Sequence, residues 1–335
     1  MQLADLTTLR LGGPARHVVE ATTTDELVDT VRRADVAGDP VLVVGGGSNL
    51  VVGDAGWPGT VVLVRTAEQR VEQDGDAVTV VADAGVVWDD LVADSVARGW
   101  SGLAAMSGIP GSTGATPVQN VGAYGSEVAD AVTGLRVLDR GTGTVEDWDP
   151  VRCGFGFRTS AFKHTDRYVV LSVTFGLTVS PDAPPIRYLE LARRLGVEQG
   201  GRAPSTAVRE TVLALRRSKG MVLDAPDHDT WSVGSFFVNP FVPADRVPAG
   251  CPNWEVDGAV KLSAAWLIEN AGYGRGFAAG SERVSVSTKH TLALTNRGDA
   301  TTAELVELAR VIRDGVDRRF GVRLRPEAHL VGVEL

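Results

Sequence analysis

The chain is expected to fold as an α+β protein of at least two domains. Three observations carry that expectation. Its 335 residues are about twice the ~150 of a typical domain. Short β-branched runs alternate with helical stripes of apolar residues. The 39 glycines gather in loops between these segments rather than in repeats. Hydrophobic residues make up 44% of the chain and charged ones 22%, the composition of a chain that buries a core. At this length a core forms without disulfide or metal staples.

The elements follow in order. Thr23 and Glu26 have capping-box spacing, Leu27, Val28 and Val31 form a stripe, and Gly38 is a stop, so 23–37 is read as a helix. Residues 41–44 (VLVV) and 60–64 (TVVLV) read as strands, and 70–81 as a hairpin turning at Asp74-Gly75. Trp88, Leu91, Val92 and Val96 mark a helix that ends at Gly99. Strands are expected at 132–139, 143–148 and 168–179. A short helix follows near Tyr188, and a second runs from Pro204-Ser205 into the basic run Arg216-Arg217-Ser218-Lys219. The turn-rich stretch Gly220 to Asp229 suggests a domain boundary. Beyond it we expect a strand at Phe236–Val238, a helix at 261–270, and strands near 283–287 and 291–295. The last helix is the clearest, with Thr301 and Glu304 as its capping box and Gly321 as its stop. Its stripe is Leu305, Leu308, Ile312, Val316 and Phe320.

Several function classes are disfavoured. With 33 basic and 42 acidic residues the net charge is −9, which argues against nucleic acid or an anionic membrane as partner. An anionic ligand would need a local island of positive charge. The two cysteines, Cys153 and Cys251, form no CxxC pair, and the five histidines show no HExxH, so no metal site is expected. No apolar stretch has the length of a signal peptide or a membrane span, and a cytoplasmic location is the expectation.

Two glycine loops stand out. Gly45-Gly46-Gly47-Ser48-Asn49 follows a buried strand but lacks GxGxxG spacing, and VVGDAGWPG after it cannot be the helix a Rossmann motif opens. No Gly-Lys-Ser/Thr follows, which excludes a P-loop, and Ser48 lacks the GxSxG frame of a nucleophile elbow. What remains is either an ordinary tight turn or a nest of backbone N–H groups for an anion. The second loop, from Gly108 to Gly125, has the same character. Small residues let a ligand approach the main chain closely. Two such loops in one acidic chain fit a diphosphate within a dinucleotide-sized cofactor.

VLVVGGGSNLVV, GIPGSTGATPVQNVGAYG, FGFRTSAFK, GSFFVNP, KLSAAWLIENAG and the C-terminal RPE occur in this order. Together they resemble the UDP-N-acetylenolpyruvoylglucosamine reductase family, the flavoenzymes that make UDP-N-acetylmuramate for peptidoglycan. The resemblance covers almost the whole chain. It implies an α+β fold: a two-part FAD-binding domain of the vanillyl-alcohol-oxidase type plus a separate α+β substrate-binding domain. The first FAD-binding part is then 1–66, joined by the tail 325–335; the second is 67–219; the substrate-binding domain is 220–324.

The implied reaction is reduction of an enolpyruvyl ether by hydride from FAD, with NADPH as reducing co-substrate. Arg158, in Phe155-Gly156-Phe157-Arg158, matches the family's intermediate-stabilising arginine, whose fork suits a carboxylate. The position before it is often tyrosine in the family, whereas Phe157 has no hydroxyl. Glu327, in Arg325-Pro326-Glu327, matches the catalytic glutamate, as a protonated donor in a desolvated pocket. Ser235, in Gly234-Ser235-Phe236, matches the serine proton donor. Lys219 and Asn239 match residues near the substrate diphosphate. Tyr188, followed by LELARRL, matches a closing-loop tyrosine and the subtype that has it. His290 is expected to be a packing or substrate-edge residue rather than a base.

The FAD-binding expectation falls on Gly45, Gly46, Gly47, Ser48 and Asn49; on Ile109, Pro110, Gly111, Ser112, Gly114 and Ala115; and on Gly122, Ala123, Tyr124 and Gly125. Partners are then the nucleotide-sugar and NADPH, with no nucleic acid and no membrane insertion, and the protein is expected to be a monomer. A sugar or alcohol oxidase of the same flavin fold, or a non-catalytic nucleotide-binding module, is the rival reading.

Overall fold

In the computed structural model, which describes residues 1–256 and 258–335, the chain packs as two units. One unit comprises Arg16–Gly46 and Pro58–Arg217, and the other comprises Met1–Ala15, Gly47–Trp57 and Ser218–Leu335. Each is built from α and β elements around its own core, as the α+β expectation required.

The unit holding both Gly45-Gly46 and the second glycine loop opens on the strand Ala15–Ala21, which pairs with Trp57–Val64, and continues into the helix Thr24–Ala37. Both halves of its capping box form at Thr23 and Glu26, and Gly38 closes it in the left-handed conformation at φ 67°. Leu27, Val28, Val31 and Ala34 face a core that includes Val41, Val62 and Val64. Those valines lie on Val41–Val44 and Trp57–Val64, which pair in parallel with Val41 opposite Thr60.

The larger sheet of this unit runs Thr144–Trp148, Val132–Asp139, Tyr168–Val179, Ala77–Asp83, Gln69–Asp74, all antiparallel, with Trp100–Ser101 also on Tyr168–Val179. Tyr168–Val179 forms the middle because its β-branched residues pack on a pleated surface. Val170, Val173, Phe175 and Leu177 are buried. The expected hairpin forms, with Asp74 opposite Ala77 across Gly75-Asp76, and Gly75 adopts φ 57°. Trp88 of the helix Trp88–Ala97 packs on Phe175 at a ring separation of 5.8 Å, which fixes that helix on the sheet.

The other unit has its core on the helix Thr302–Phe320, capped by a complete Thr301/Glu304 box. Leu305, Leu308, Ile312 and Val316 are fully buried, each stabilising by roughly 1.5–3 kcal/mol relative to exposure. They pack with the helix Ala264–Asn270 and the pair Val284–Val286 and Leu294–Asn296. Phe241–Val242, Ala259–Leu262 and Asn253–Val256 make a three-stranded sheet. His329–Val331 pairs in parallel with Leu50–Val52, so the chain's last strand returns to one of its first.

Two expectations need correction. Residues 261–262 end a strand, and the helix begins at Ala264 because Ser263 caps it through the Trp266 amide. Phe236–Val238 is no strand. It makes one isolated bridge, Phe237 to Pro326, and proline has no N–H with which to extend a ladder.

Candidate active site

The two glycine loops touch main chain to main chain within one unit. A Cβ on Gly46 would lie 2.6 Å from the Gly111 Cα, and one on Gly45 would lie 2.1 Å from the Ser112 Oγ. At position 46 the clash is with backbone, so glycine is required there for the loops to meet; at 45 the Ser112 hydroxyl would have to turn aside. The second loop is held by strand-like pairing with the start of the helix Trp88–Ala97. Trp88 donates to the Gly111 carbonyl at 3.0 Å, Thr113 donates to Val86 at 2.8 Å, and Gly114 donates to Ala84 at 2.9 Å. The Thr113 and Gly114 amides are therefore engaged inside the protein and are not donors to a ligand. Ser112 is buried and bridges Val87, while Ile109 packs on the sheet core. Pro110 precedes Gly111, which adopts φ 122°, and Ala115 ends the short turn Thr113–Ala115.

Gly47 begins the other unit's share of the first loop. It adopts φ 61°, and a Cβ there would lie 1.9 Å from the Leu6 carbonyl oxygen. Ser48 and Asn49 lead into Leu50–Val52, and the Asn49 carbonyl accepts from the His329 amide at 2.9 Å.

The tip of the second loop is a tight hairpin. Gly122–Ala123 pairs with Ser126–Glu127, and Tyr124 and Gly125 between them both take positive φ, 51° and 83°. A two-residue turn matching sheet twist needs this geometry, and tyrosine rarely accepts it. The Tyr124 ring meets Tyr188 edge-on at 5.6 Å. Burial pushes the Tyr124 phenol up to about 12. The structure thus brings one expected cofactor residue and one expected substrate residue together.

Arg158 lies in the two-residue turn closed by Gly156 and Thr159, at φ 53°. Its guanidinium donates to the Gly122 carbonyl at 2.7 Å and to the Asn120 carbonyl at 3.4 Å. Lys163 donates to the Gln119 side chain at 2.6 Å and Ser160 to the Val118 carbonyl at 2.8 Å. FGFRTSAFK is therefore strapped along the end of the second glycine loop.

Sequence reasoning missed Asp89 and the burial of Arg216. Arg209, on the helix Ser205–Ser218, grips the Asp89 carboxylate with two bonds of 2.6 and 2.9 Å. The Gly108 amide donates to the same carboxylate at 2.6 Å. Burial raises the Asp89 carboxyl, but these bonds and the nearby charge of Arg216 outweigh it and hold it below the usual range. Burial pushes the Arg216 guanidinium down, while Tyr124 and Asp89 hold it up. The basic run read as a helix terminus thus contains a buried cation. Its only sequence signal was the helical spacing that put Arg216 on the stripe of Val208, Val212 and Leu215.

In the other unit, the Glu327 amide donates to the Phe236 carbonyl at 2.8 Å, and the Val238 amide donates to Arg325 at 3.1 Å. Ser235 precedes the buried Phe236, and Gly234 turns the chain there at φ 72°. Ser235 and Glu327 are both half-buried. The Asn239 side-chain oxygen accepts from the Ala264 amide at 3.0 Å, an added cap for the helix Ala264–Asn270. Lys219, half-buried, follows the helix Ser205–Ser218, and the His290 amide donates to the Ser287 hydroxyl at 3.2 Å. Arg158 and Tyr188 belong to one unit, and Ser235, Glu327, Lys219 and Asn239 to the other. Among the described residues no group of three or more His, Cys, Asp or Glu could hold a metal ion.

Residues 15–149 match the family model of an FAD binding domain, and residues 225–331 match that of the UDP-N-acetylenolpyruvoylglucosamine reductase C-terminal domain. The chain is 55% identical to the UDP-N-acetylenolpyruvoylglucosamine reductase of Salinispora arenicola, across 99% of this chain and 95% of the relative. It belongs to that family. The enzyme of the same name from Nocardia farcinica is 53% identical, across 100% of this chain and 90% of its own. The crystal structure of the reductase from Thermus caldophilus superposes with a TM-score of 0.70 at 25% identity, covering 99% of this chain and 97% of that one. Membership makes the protein an FAD-dependent oxidoreductase, and the fold class matches the resemblance seen in sequence. Gly46 is exposed and Gly111 half-buried where the two loops meet, so main chain bare of side chains lies open there, which suits the close approach of FAD. No helix among the described residues is long and apolar enough to cross a membrane.

Proposed function

We propose that the protein reduces the enolpyruvyl ether of UDP-N-acetylglucosamine to UDP-N-acetylmuramate with NADPH as reductant, a step in peptidoglycan precursor synthesis in the cytoplasm. The observation that carries this reading is the 55% identity to a reductase of that name across 99% of the chain. Gly45–Asn49, then Ile109, Pro110, Gly111, Ser112, Gly114 and Ala115, and Gly122–Gly125 would line the FAD through close main-chain approach. The chemistry FAD supplies when bound is acceptance of a hydride from NADPH and its delivery to the terminal vinyl carbon of the substrate.

The side chains manage what that delivery leaves behind. Negative charge develops on the adjacent carbon and spreads into the substrate carboxylate. Arg158 offers a planar guanidinium fork whose positive charge offsets the charge developing on the carboxylate. Glu327 donates a hydrogen bond to the same carboxylate. Ser235 gives its hydroxyl proton to the carbanionic carbon and recovers one through water, and a serine suffices because that carbon is strongly basic. Lys219 meets the diphosphate charge. Because the Asn239 oxygen already caps Ala264, its amide NH2 is the part left to meet substrate. Tyr188 closes over the nucleotide-sugar. The functional division in this reading is 1–66 with 325–335, then 67–219, then 220–324. It differs from the packing division, in which residues 1–15 and 47–57 join the unit containing the C-terminus. The protein acts as a monomer.

The test is spectroscopic. The purified protein should be yellow, bleach with NADPH under anaerobic conditions, and regain colour on addition of the enolpyruvyl nucleotide-sugar. Reoxidation that depends on oxygen alone, at the same rate with or without the nucleotide-sugar, would refute the reading and favour an oxidase.

A further inference from the structure

We infer that Asn120 is a positioning residue for Arg158, a role that rests on the assignment of Arg158 proposed above. Asn120 is 1% exposed and adopts φ 46°, a left-handed backbone that is uncommon for any residue but glycine. Its side chain is fully engaged in three directions. The amide nitrogen donates to Glu127 Oε2 at 2.8 Å and to the Gly156 carbonyl at 3.1 Å. The amide oxygen accepts from the Ala129 amide at 3.1 Å. Its own carbonyl and that of Gly122 are the two main-chain oxygens that receive the Arg158 guanidinium, at 3.4 and 2.7 Å.

One residue therefore fixes both ends of Arg158. Through Gly156 it anchors the turn that carries the arginine backbone, and through its own carbonyl it holds the arginine's head. Through Glu127 and Ala129 it also ties down the hairpin that presents the Gly122 carbonyl. The planar fork of arginine is useful only when its orientation is set, and the two carbonyls that Asn120 supplies or supports help to set it. A turn residue selected only for its backbone would be replaceable by glycine. The three side-chain bonds make the opposite case.

Two variants separate these possibilities. Asn120→Gly keeps the left-handed backbone at no steric cost and removes all three side-chain bonds. Asn120→Asp keeps the shape and the Ala129 bond but cannot donate to Glu127 or Gly156. Each should retain its bound FAD and be reduced by NADPH at near the native rate. Reoxidation of the reduced enzyme by the enolpyruvyl nucleotide-sugar should slow by about tenfold or more, the scale of lost buried hydrogen bonds. Adding Glu127→Gln to Asn120→Asp exchanges donor and acceptor and should recover much of that loss. In an Arg158→Ala background neither Asn120 variant should slow reoxidation further. If FAD content and both half-reactions fall in proportion, or if the Asn120 effect persists without the arginine, Asn120 is merely structural and the inference is overturned. If Arg158→Ala itself reoxidises normally, the assignment of Arg158 fails first. Should Asn120→Asp not fold, Asn120→Gly carries the same comparison alone.

Discussion

Glu327 is tied to Phe236 by a main-chain hydrogen bond of 2.8 Å, and Ser235 is the residue immediately before Phe236. Two segments more than ninety positions apart in sequence thereby become main-chain neighbours, one carrying Glu327 and the other Ser235. Ser235→Ala and Glu327→Ala should each leave reduction by NADPH within a few-fold of native. Both should slow reoxidation by the enolpyruvyl nucleotide-sugar by about 10²-fold or more, as expected when a proton donor or a hydrogen-bond donor to the developing charge is removed. Stopped-flow measurement of the two half-reactions decides it. Equal losses in both would contradict the roles proposed for these residues.

Gly46→Val should lower FAD content. The added Cβ would lie 2.6 Å from the Gly111 Cα, so the second loop must move away. Gly46 does not adopt positive φ, which makes the effect steric; backbone strain applies instead at Gly47, at φ 61°. The ratio of flavin to protein absorbance measures the outcome, and full occupancy in Gly46→Val would show that the loops need not touch.

Asp89→Asn should destabilise the protein by about 1–3 kcal/mol at neutral pH, because one partner of a part-buried ion pair is lost. Its folded carboxyl titrates below the ordinary value. That stabilisation is therefore present above pH ~4 and disappears as pH falls through the lowered value. Denaturant midpoints of the two proteins should converge in acid. A gap that widens below pH ~4 would reverse the sign and exclude the carboxylate as the cause.

Tyr188→Ala should raise KM for the nucleotide-sugar by about tenfold while changing KM for NADPH little. Tyr188→Phe keeps the edge contact with Tyr124, at 5.6 Å in the native protein, and isolates the hydroxyl. Steady-state kinetics with each substrate varied in turn read the difference. A rise confined to NADPH would place Tyr188 elsewhere.

Much of the local structure is legible in the sequence, because capping boxes, left-handed glycines and two-residue turns are short-range physics. Thr23 with Glu26, Thr301 with Glu304, and Asp74-Gly75 each announce an element that forms at or within a residue or two of the expected place. Alternation and β-branching likewise announce Tyr168–Val179. What the sequence could not announce is pairing at long range. Asp89 meets Arg209 across 120 positions, and Asn120 meets Gly156 across 36. No periodicity relates such partners. Phe236–Val238 misled for the same reason: its apolar run looks like a strand, yet its neighbour is a proline-containing segment that cannot extend a ladder. The glycine loops were visible as loops, but their contact with each other rests on the fold around Trp88.

The parallel pairing of His329–Val331 with Leu50–Val52 has a bearing on biosynthesis. Leu3, Leu9, Leu11 and Val51 leave the ribosome early, whereas the unit that buries them draws most of its residues from Ser218 onward. At about 5–20 residues per second, their intended cover arrives roughly ten to fifty seconds later. Meanwhile the intervening unit, with all its sheet strands already made, is free to fold. Until the residues from Ser218 onward are made, the nascent chain must therefore shelter a handful of greasy side chains whose cover does not yet exist.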